Sequence, residues 1–295
     1  MKKVVLSALT ASLLLTPTLY ALEQAPNNAT VKQINAVAVN KAKGEATDKQ
    51  GKLVQEAIDS LTFAHDAVVA LNKKDKEGAI KAIENALGKL EVILSAKESP
   101  KFLPIKNYVV VNEFVGTSDG IKATVKLAKN FLDDGKVQLA RKVLMPLTSE
   151  IDMTTVSLPL VSYPDALKLA SKYIHSDKIA MAKEVLTIAL NTYDETTVVV
   201  PIPLLKATDL IAAASDIAAK DKGKALLYLD AASESLKIAK ELGYVSKSEV
   251  TYKVLQDKID ATKKEIKGKN KAEKLFDSLK KKLADFKAKV FSPKK

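Results

Sequence analysis

The sequence predicts a mostly all-α fold: an irregular array or bundle of helical hairpins with short extended proline-rich connectors that can pair into a small β element. The first observation is composition, because 47% of the 295 residues are hydrophobic whereas only 5% are aromatic and Trp is absent. A core with this composition is filled by Ala, Leu, Ile and Val, and Ala and Leu are strong helix formers. The second observation is the recurrence of apolar stripes at helical spacing on both sides of polar turns.

Four segments share this hairpin pattern, in which a polar turn rich in Asp and Lys is followed by a helix with a small residue in its first turns. The small residue predicts a close approach of the two helices. The units are similar to tetratricopeptide hairpins, but their unequal spacing lacks the period of about 34 residues. A plain helical bundle is therefore the alternative to a repeat array. The four turns lie at 72–75, 133–136, 175–178 and 220–223, and the small residues are Ala79, Ala140, Ala182 and Ala225.

Three apolar connectors separate the hairpins, at residues 99–104, 157–164 and 198–204. β-branched runs beside them, at 108–111, 154–156 and 196–200, favour an extended backbone. Each connector contains prolines, which disfavour helix in the preceding residue. We therefore predict buried extended connectors that pair into a small sheet. A functional alternative is a peptide-binding groove lined by the candidate residues Tyr163, Pro164, Pro201 and Pro203.

The N-terminus has the features of a cleaved export signal. Lys2 and Lys3 precede an apolar stretch that is too short to anchor in a bilayer, Pro17 breaks it, and Ala21 offers a cleavage point. No later stretch is apolar for about 20 residues, so no transmembrane span is predicted. We expect a periplasmic protein of a bacterium, cleaved near Ala21. The predicted parts are a signal peptide at 1–21, a flexible leader at 22–48, a helical domain at 49–245 and a basic amphipathic helical extension at 246–295.

The formal net charge of +12 belongs mostly to the C-terminal extension, since residues 263–295 hold 13 basic and 4 acidic side chains. Arg141 is the only arginine, and nucleic-acid readers favour arginine, so no nucleic-acid partner is expected. The extension also carries apolar residues at heptad spacing. This seam predicts a helix folded back on the body, self-association, or contact with an anionic surface. Its candidate interaction residues are Phe276, Leu279, Leu283 and Phe286.

No residue pattern points to catalysis, a cofactor or a metal. The chain has no Cys and two His, His65 and His175, too few for a zinc site without carboxylates. Phosphate-binding glycine loops and the Gly-x-Ser-x-Gly motif are absent from the sequence. Asp133-Asp134 stands in a hairpin turn, where Asp is common. We predict that the protein is not an enzyme. His65 has two interpretations, a structural boundary residue or a pH sensor, and His175 is predicted to cap a helix C-terminus.

Beyond these patterns, the sequence resembles the YfdX family of proteobacteria over about residues 50–240. The resemblance lies in the hairpin at 71–90, the segment from Ala140 to Ile151, and two proline motifs at 158–166 and 200–207. It implies a mostly helical exported protein linked to bacterial stress responses, including acid and envelope stress, and it implies no enzyme activity. The expected function is non-enzymatic binding, stress-protective or chaperone-like, with protein clients or self-association. The alternative is a peptide or small-ligand receptor that uses the proline connectors.

Overall fold

A computed structural model describes residues 30–48, 53–95, 99–245, 250–268 and 272–290. These residues form eleven helices and one three-stranded sheet, which confirms the mostly helical fold with a small β element. In chain order the elements are α1 Val31–Asp48, α2 Gln55–Asn72, α3 Lys76–Leu94, β1 Phe102–Asn112, α4 Ser118–Asp133, α5 Val137–Leu144, β2 Glu150–Pro159, α6 Tyr163–His175, α7 Ile179–Leu190, β3 Asp194–Pro201, α8 Ile202–Ile217, α9 Lys222–Glu241, α10 Val250–Lys267 and α11 Glu273–Val290.

The four predicted hairpins are present as α2–α3, α4–α5, α6–α7 and α8–α9. Three of their turns place one residue in the left-handed region, namely Lys74, Gly135 and Asp177. In each case the next residue donates its N–H to a carbonyl five positions back, which satisfies the end of the first helix. The predicted small residues are fully buried between helices, at no more than 1% exposure: Ala79, Ala140, Ala182 and Ala225.

The three proline connectors form an antiparallel sheet with the order β1-β2-β3. Strand β2 pairs along its whole length with β1 on one side, and over residues 150–157 with β3 on the other. Each strand includes one of the predicted β-branched runs. It extends beyond that run because flanking residues also pair with the neighbouring strand. The prolines end two strands and begin helices: Pro159 closes β2 just before α6, and Pro201 closes β3 just before α8.

The α2–α3 and α6–α7 hairpins pack against each other. Helices α2 and α3 pack against α7 and α6, respectively, and their shared core includes Leu71, Leu90, Leu167 and Leu186. Leu158 at the end of β2 belongs to the same core, so the sheet is joined to both hairpins. On the other side, the α8–α9 hairpin packs against α1, α10 and α11 in a second core.

The predicted flexible leader is wrong for residues 31–48, because Val31–Asp48 is a helix packed against α8 and the sheet. Ile34 enters the core around α8 and α9. Ala38 and Ala46 lie in a smaller cluster with Ile151 on one face of the sheet. The buried positions of α1 are mostly alanines in a polar segment, so its sequence shows little of the hydrophobic periodicity that marks a helix. Residues 1–29, which include the predicted signal peptide, lie outside the described residues.

The boundary predicted at residue 245 cuts through a hydrophobic core rather than between domains. Leu255 and Ile259 of α10 and Phe276 of α11 are buried with Leu229 and Leu236 of α9. The extension therefore completes the core that begins with α8 and α9. Lys280 of α11 also donates to the hydroxyl of Ser215 in α8 at 2.9 Å.

Candidate functional site

An open groove of about 1050 Å³ lies between α2, the sheet and the C-terminal end of α7. Its volume slightly exceeds the usual range of about 300–1,000 Å³ for small-molecule pockets, and it is open to solvent. We call it the sheet groove. Its lining residues are Ile58, Leu61, Thr62, His65, Asp66, Val68, Ile105, Lys106, Tyr108, Val156, Thr187, Leu190, Asn191, Tyr193 and Glu195.

The sheet supplies the floor of the groove. Lys106 pairs with Val156, which pairs with Glu195, so one row crosses all three strands, a width of about 10 Å. The register shifts between Pro104 and Lys106, so Ile105 is an extra residue in β1. A bulge of this kind redirects side chains locally, and here both Ile105 and Lys106 line the groove.

The next row of the sheet contributes Tyr108, whose ring is 37% exposed. Its cross-strand neighbours Thr154 and Thr197 have their hydroxyl oxygens 2.8 Å apart, which ties β2 to β3 at this level. The ammonium of Lys106 lies 5.9 Å from the centre of the Tyr108 ring, within the range of a cation–π contact. This contact holds a charge beside an exposed aromatic surface.

The two helices form the walls. His65 and Asp66 are exposed on α2, at the groove's rim. Tyr193 follows α7, is 42% exposed, and donates its hydroxyl to the carbonyl of Leu190, which fixes the ring at the helix end. The groove thus combines a mostly apolar lining, two exposed tyrosines and charged side chains of both signs, among them Lys106 and Glu195 on the floor and Asp66 on the wall. Such a surface suits an extended, uncharged or mixed-charge segment rather than a compact ion.

Two of the predicted candidate residues, Tyr163 and Pro164, are buried at the start of α6. Tyr163 is only 2% exposed and donates its hydroxyl to the carbonyl of Ser60 at 3.3 Å. Burial raises the pKa of the Tyr163 phenol well above its ordinary value. A small apolar pocket of about 250 Å³ lies beside it, and we call it the Tyr163 pocket. It is lined by Pro159, Ser162, Tyr163, Ala166, Val185, Ile188, Ala189 and Thr192.

The other two proline candidates, Pro201 and Pro203, are also buried, and they lie far from Tyr163. Pro201 pairs with Glu150 at the start of β2, whereas Pro159 stands at the end of β2. Ten residues of strand separate the two motifs by about 30 Å. The expectation of one groove lined by all four residues is therefore wrong, because β2 places the proline motifs at its opposite ends.

The seam candidates of the extension face the interior of this chain. Phe276, Leu279 and Leu283 are at most 1% exposed and pack in the core with α8, α9 and α10. These three side chains are therefore covered within the chain, as in the folded-back alternative, and offer no surface to a partner in this arrangement. Phe286 lies in α11 beyond the side chains that the structure describes.

Sequence reasoning missed Tyr108 and Tyr193 as site residues. Their signal was weak: each is a single aromatic beside a β-branched run, and only the fold brings them together with α2. His65 was singled out and lines the groove from an exposed position. His175 ends α6 as predicted, and its Nδ1 lies 2.8 Å from the carbonyl oxygen of Ser171.

Asp152 lies in β2 on the same face of the sheet as Tyr108. Its partly buried carboxylate charge lowers the stability of the fold. One carboxylate oxygen of Asp152 is buried and has no hydrogen-bond partner. Burial, and then the nearby charge of Glu150, raise the pKa of Asp152 above its ordinary 3.8. The folded state therefore holds this proton more tightly than the unfolded state does. The resulting stability is present below about pH 3.8 and is lost as the pH rises through the folded-state pKa.

Replacing Asp152 by Asn is expected to raise the free energy of unfolding at pH 7 by on the order of 1 kcal/mol, because it removes a half-buried charge. The gain should shrink toward zero as the pH falls below 4, where the wild-type carboxyl is protonated. Urea unfolding at pH 7 and pH 3.5 checks this. Asp66→Asn, on an exposed helix face, is the matched control and should change little. A destabilised Asp152→Asn protein at pH 7 would contradict the assignment.

Two further searches cover the described part of the chain. No group of three His, Asp or Glu side chains comes together there in a way that could hold a metal ion. Within the same residues, no helix is both long enough and apolar enough to cross a membrane.

A model of the YfdX protein family matches residues 60–199, a range that contains every groove-lining residue except Ile58. A solved structure of YfdX from Salmonella Typhi is similar over 51% of this chain and 94% of its own, with 13% identity and a TM-score of 0.35. A search among curated proteins finds no match. The part of this chain that matches the YfdX family model thus contains β1, β2, most of β3 and nearly all of the sheet groove.

Proposed function

We propose that this chain is an exported, non-enzymatic binding protein of the bacterial periplasm, and that it acts in a stress-protective, chaperone-like way by holding exposed segments of other proteins. The single observation that carries the binding proposal is the sheet groove, with its mostly apolar lining and its exposed Tyr108 and Tyr193. The export signature at residues 1–21 and the family's link to acid and envelope stress support the location and the role.

The groove favours an extended polypeptide for three physical reasons. It is open to solvent, so a bound segment need not be enclosed. Its two tyrosines provide rigid aromatic contact area with a polar tip, which is the commonest anchor at protein interfaces. Its lining includes Asp66 and Glu195 together with Lys106, so neither sign of charge is excluded. This combination suits many sequences and selects for apolar side chains.

The double variant Tyr108→Ala/Tyr193→Ala is expected to bind an unfolded polypeptide at least tenfold more weakly, because loss of an aromatic anchor costs about 1–2 kcal/mol or more. The probe is fluorescein-labelled casein, and binding is followed by fluorescence anisotropy. Salt is kept near 0.15 M so that long-range attraction to the lysine-rich extension is screened. Circular dichroism establishes that each variant remains helical.

The matched control is Phe102→Ala, since Phe102 is an exposed aromatic on β1 that does not line the groove. Its casein affinity should equal that of the wild type. Equal affinity of wild type and double variant would contradict the groove proposal. Loss of affinity in the control alone would do the same.

A second candidate function is a receptor for a small apolar ligand, and the Tyr163 pocket favours it. The pocket is formed partly by the proline connector at Pro159 and partly by Ile188, which is 59% exposed at its rim. The neutral dye N-phenylnaphthylamine is a suitable probe. The receptor function predicts saturable dye fluorescence that Ile188→Glu abolishes, with casein binding absent. The polypeptide function predicts casein binding that Ile188→Glu leaves unchanged.

A further inference from the structure

The net positive charge of this chain is concentrated in its last quarter. Residues 22–219 carry 24 basic and 24 acidic side chains, so this long stretch is neutral. Residues 220–295 carry 21 basic and 11 acidic side chains, and every basic residue among them is a lysine. Long-range attraction of the folded protein to an anionic partner therefore comes from the region that contains α9, α10 and α11.

Two turns of this region lie side by side in the fold. The α8–α9 hairpin packs against the α10–α11 hairpin, with α9 on α10 and α8 on α11. The ammonium group of Lys222, at the start of α9, donates to the carbonyl oxygen of Gly268, just after α10, at 2.6 Å. This hydrogen bond joins residues 220–224 to residues 264–274. We call these two segments together the lysine tip.

The lysine tip has a large excess of positive charge. In sequence, its two segments contain eight lysines and three acidic side chains. The lysines of the tip that the structure shows as exposed are Lys220, Lys222, Lys264, Lys267 and Lys274. The excess is thus presented to solvent at one end of the packed hairpins.

Acidic side chains in and around the tip reduce this excess without cancelling it. The three acidic residues of the tip itself are Asp221, Glu265 and Glu273. Next to the tip, Asp230 and Asp260 have their own lysine, because the ammonium of Lys263 lies 2.7 Å and 3.6 Å from their carboxylates. Asp216 and Asp277 lie about one turn further along α8 and α11. Lysines therefore still outnumber carboxylates when these neighbours are included.

We propose that the lysine tip docks this chain on a membrane surface rich in anionic phospholipid. Lysine ammonium groups attract lipid phosphates without a fixed hydrogen-bonding geometry. Because the lysines come from two adjacent turns rather than from the walls of a cleft, they can approach a broad surface together. Among the described side chains after β3, the exposed large apolar residue is Leu227, so the contact is electrostatic and little of the protein enters the bilayer. The seam of α11 stays in the core.

Cosedimentation of the mature chain with vesicles tests the proposal. Vesicles of phosphatidylglycerol and phosphatidylcholine in equal parts should bind the chain at about 0.05 M salt and release it at about 0.5 M, because salt screens exposed charges. Vesicles of phosphatidylcholine alone should not bind it. The triple variant Lys220→Gln/Lys267→Gln/Lys274→Gln should bind the anionic vesicles at least tenfold more weakly, since each lysine near such a surface strengthens binding about fivefold.

The matched control is Lys73→Gln/Lys172→Gln/Lys178→Gln, which removes the same net charge from exposed positions on the α2–α3 and α6–α7 hairpins. Its vesicle affinity should stay close to that of the wild type, and circular dichroism establishes that both triple variants remain helical. Equal losses in the two variants would overturn the proposal, because net charge alone would then explain the binding.

Three other results would also overturn the proposal. The first is a wild-type chain that does not bind the anionic vesicles, and the second is one that binds neutral and anionic vesicles alike. The third is binding to inorganic polyphosphate without binding to vesicles, which would assign the tip to a soluble polyanion. The assay contains no client polypeptide, so its outcome is independent of the sheet groove.

Discussion

Phe276→Ala is expected to lower the free energy of unfolding by about 3–5 kcal/mol, the usual cost of removing a buried phenylalanine ring. The ring is 1% exposed and sits in the core that α8, α9 and α10 share with α11. Truncation leaves a cavity that the surrounding leucines fill only in part. If the C-terminal extension were a separate solvated helix, the same substitution would change stability by no more than about 0.5 kcal/mol.

Chemical denaturation of the mature chain measures this effect. Leu227→Ala is the control, because Leu227 is an exposed apolar residue of α9 outside the buried core, and its loss should cost little. Unfolding should remain a single transition in the control. An unchanged midpoint in Phe276→Ala would show that α11 does not pack on the body in solution.

Leu158→Ala is expected to cost about 2–5 kcal/mol. Leu158 is fully buried at the end of β2, pairs across the sheet with Leu103, and belongs to the core of the α2–α3 and α6–α7 hairpins. Its side chain therefore links the sheet to both hairpins. Removing it should loosen the position of the sheet against α2 and reduce casein binding as well as stability.

Val110→Ala on β1 is the control for the strand itself, because Val110 is 43% exposed. Strand propensity alone accounts for at most about 1 kcal/mol. Thermal melts followed by circular dichroism give the comparison. Similar losses in the two variants would mean that the sheet is not anchored through Leu158.

The hairpins were predictable because each carries its information locally. A polar turn, a helical stripe on either side and one small residue are all visible within about 40 residues of sequence. The strands were predictable for the same reason, since β-branched runs beside prolines disfavour helix. Helix α1 was missed because its buried side is made of alanines such as Ala38 and Ala46, which give little hydrophobic contrast with a polar segment.

The site was not predictable in the same way, because it depends on tertiary placement. His65 lies in α2, Tyr108 in β1 and Tyr193 between α7 and β3, and they meet only after β1, β2 and β3 pair. The proline motifs at Pro159 and Pro201 looked alike in sequence, yet β2 carries them to opposite ends of the sheet. The heptad seam around Phe276 fits both a partner surface and an intramolecular core, and burial within the chain decides between them.

Hydrogen exchange followed by mass spectrometry, with and without bound casein, tests the central claim most directly. Binding in the sheet groove predicts slower exchange at its lining segments, residues 58–68, 105–108 and 187–195, because a bound segment shields their backbone amides. The hairpin at 118–144 and the extension from 250 to 290 should exchange as in the free protein. Protection confined to those two regions, with no change at the three groove segments, would contradict the account.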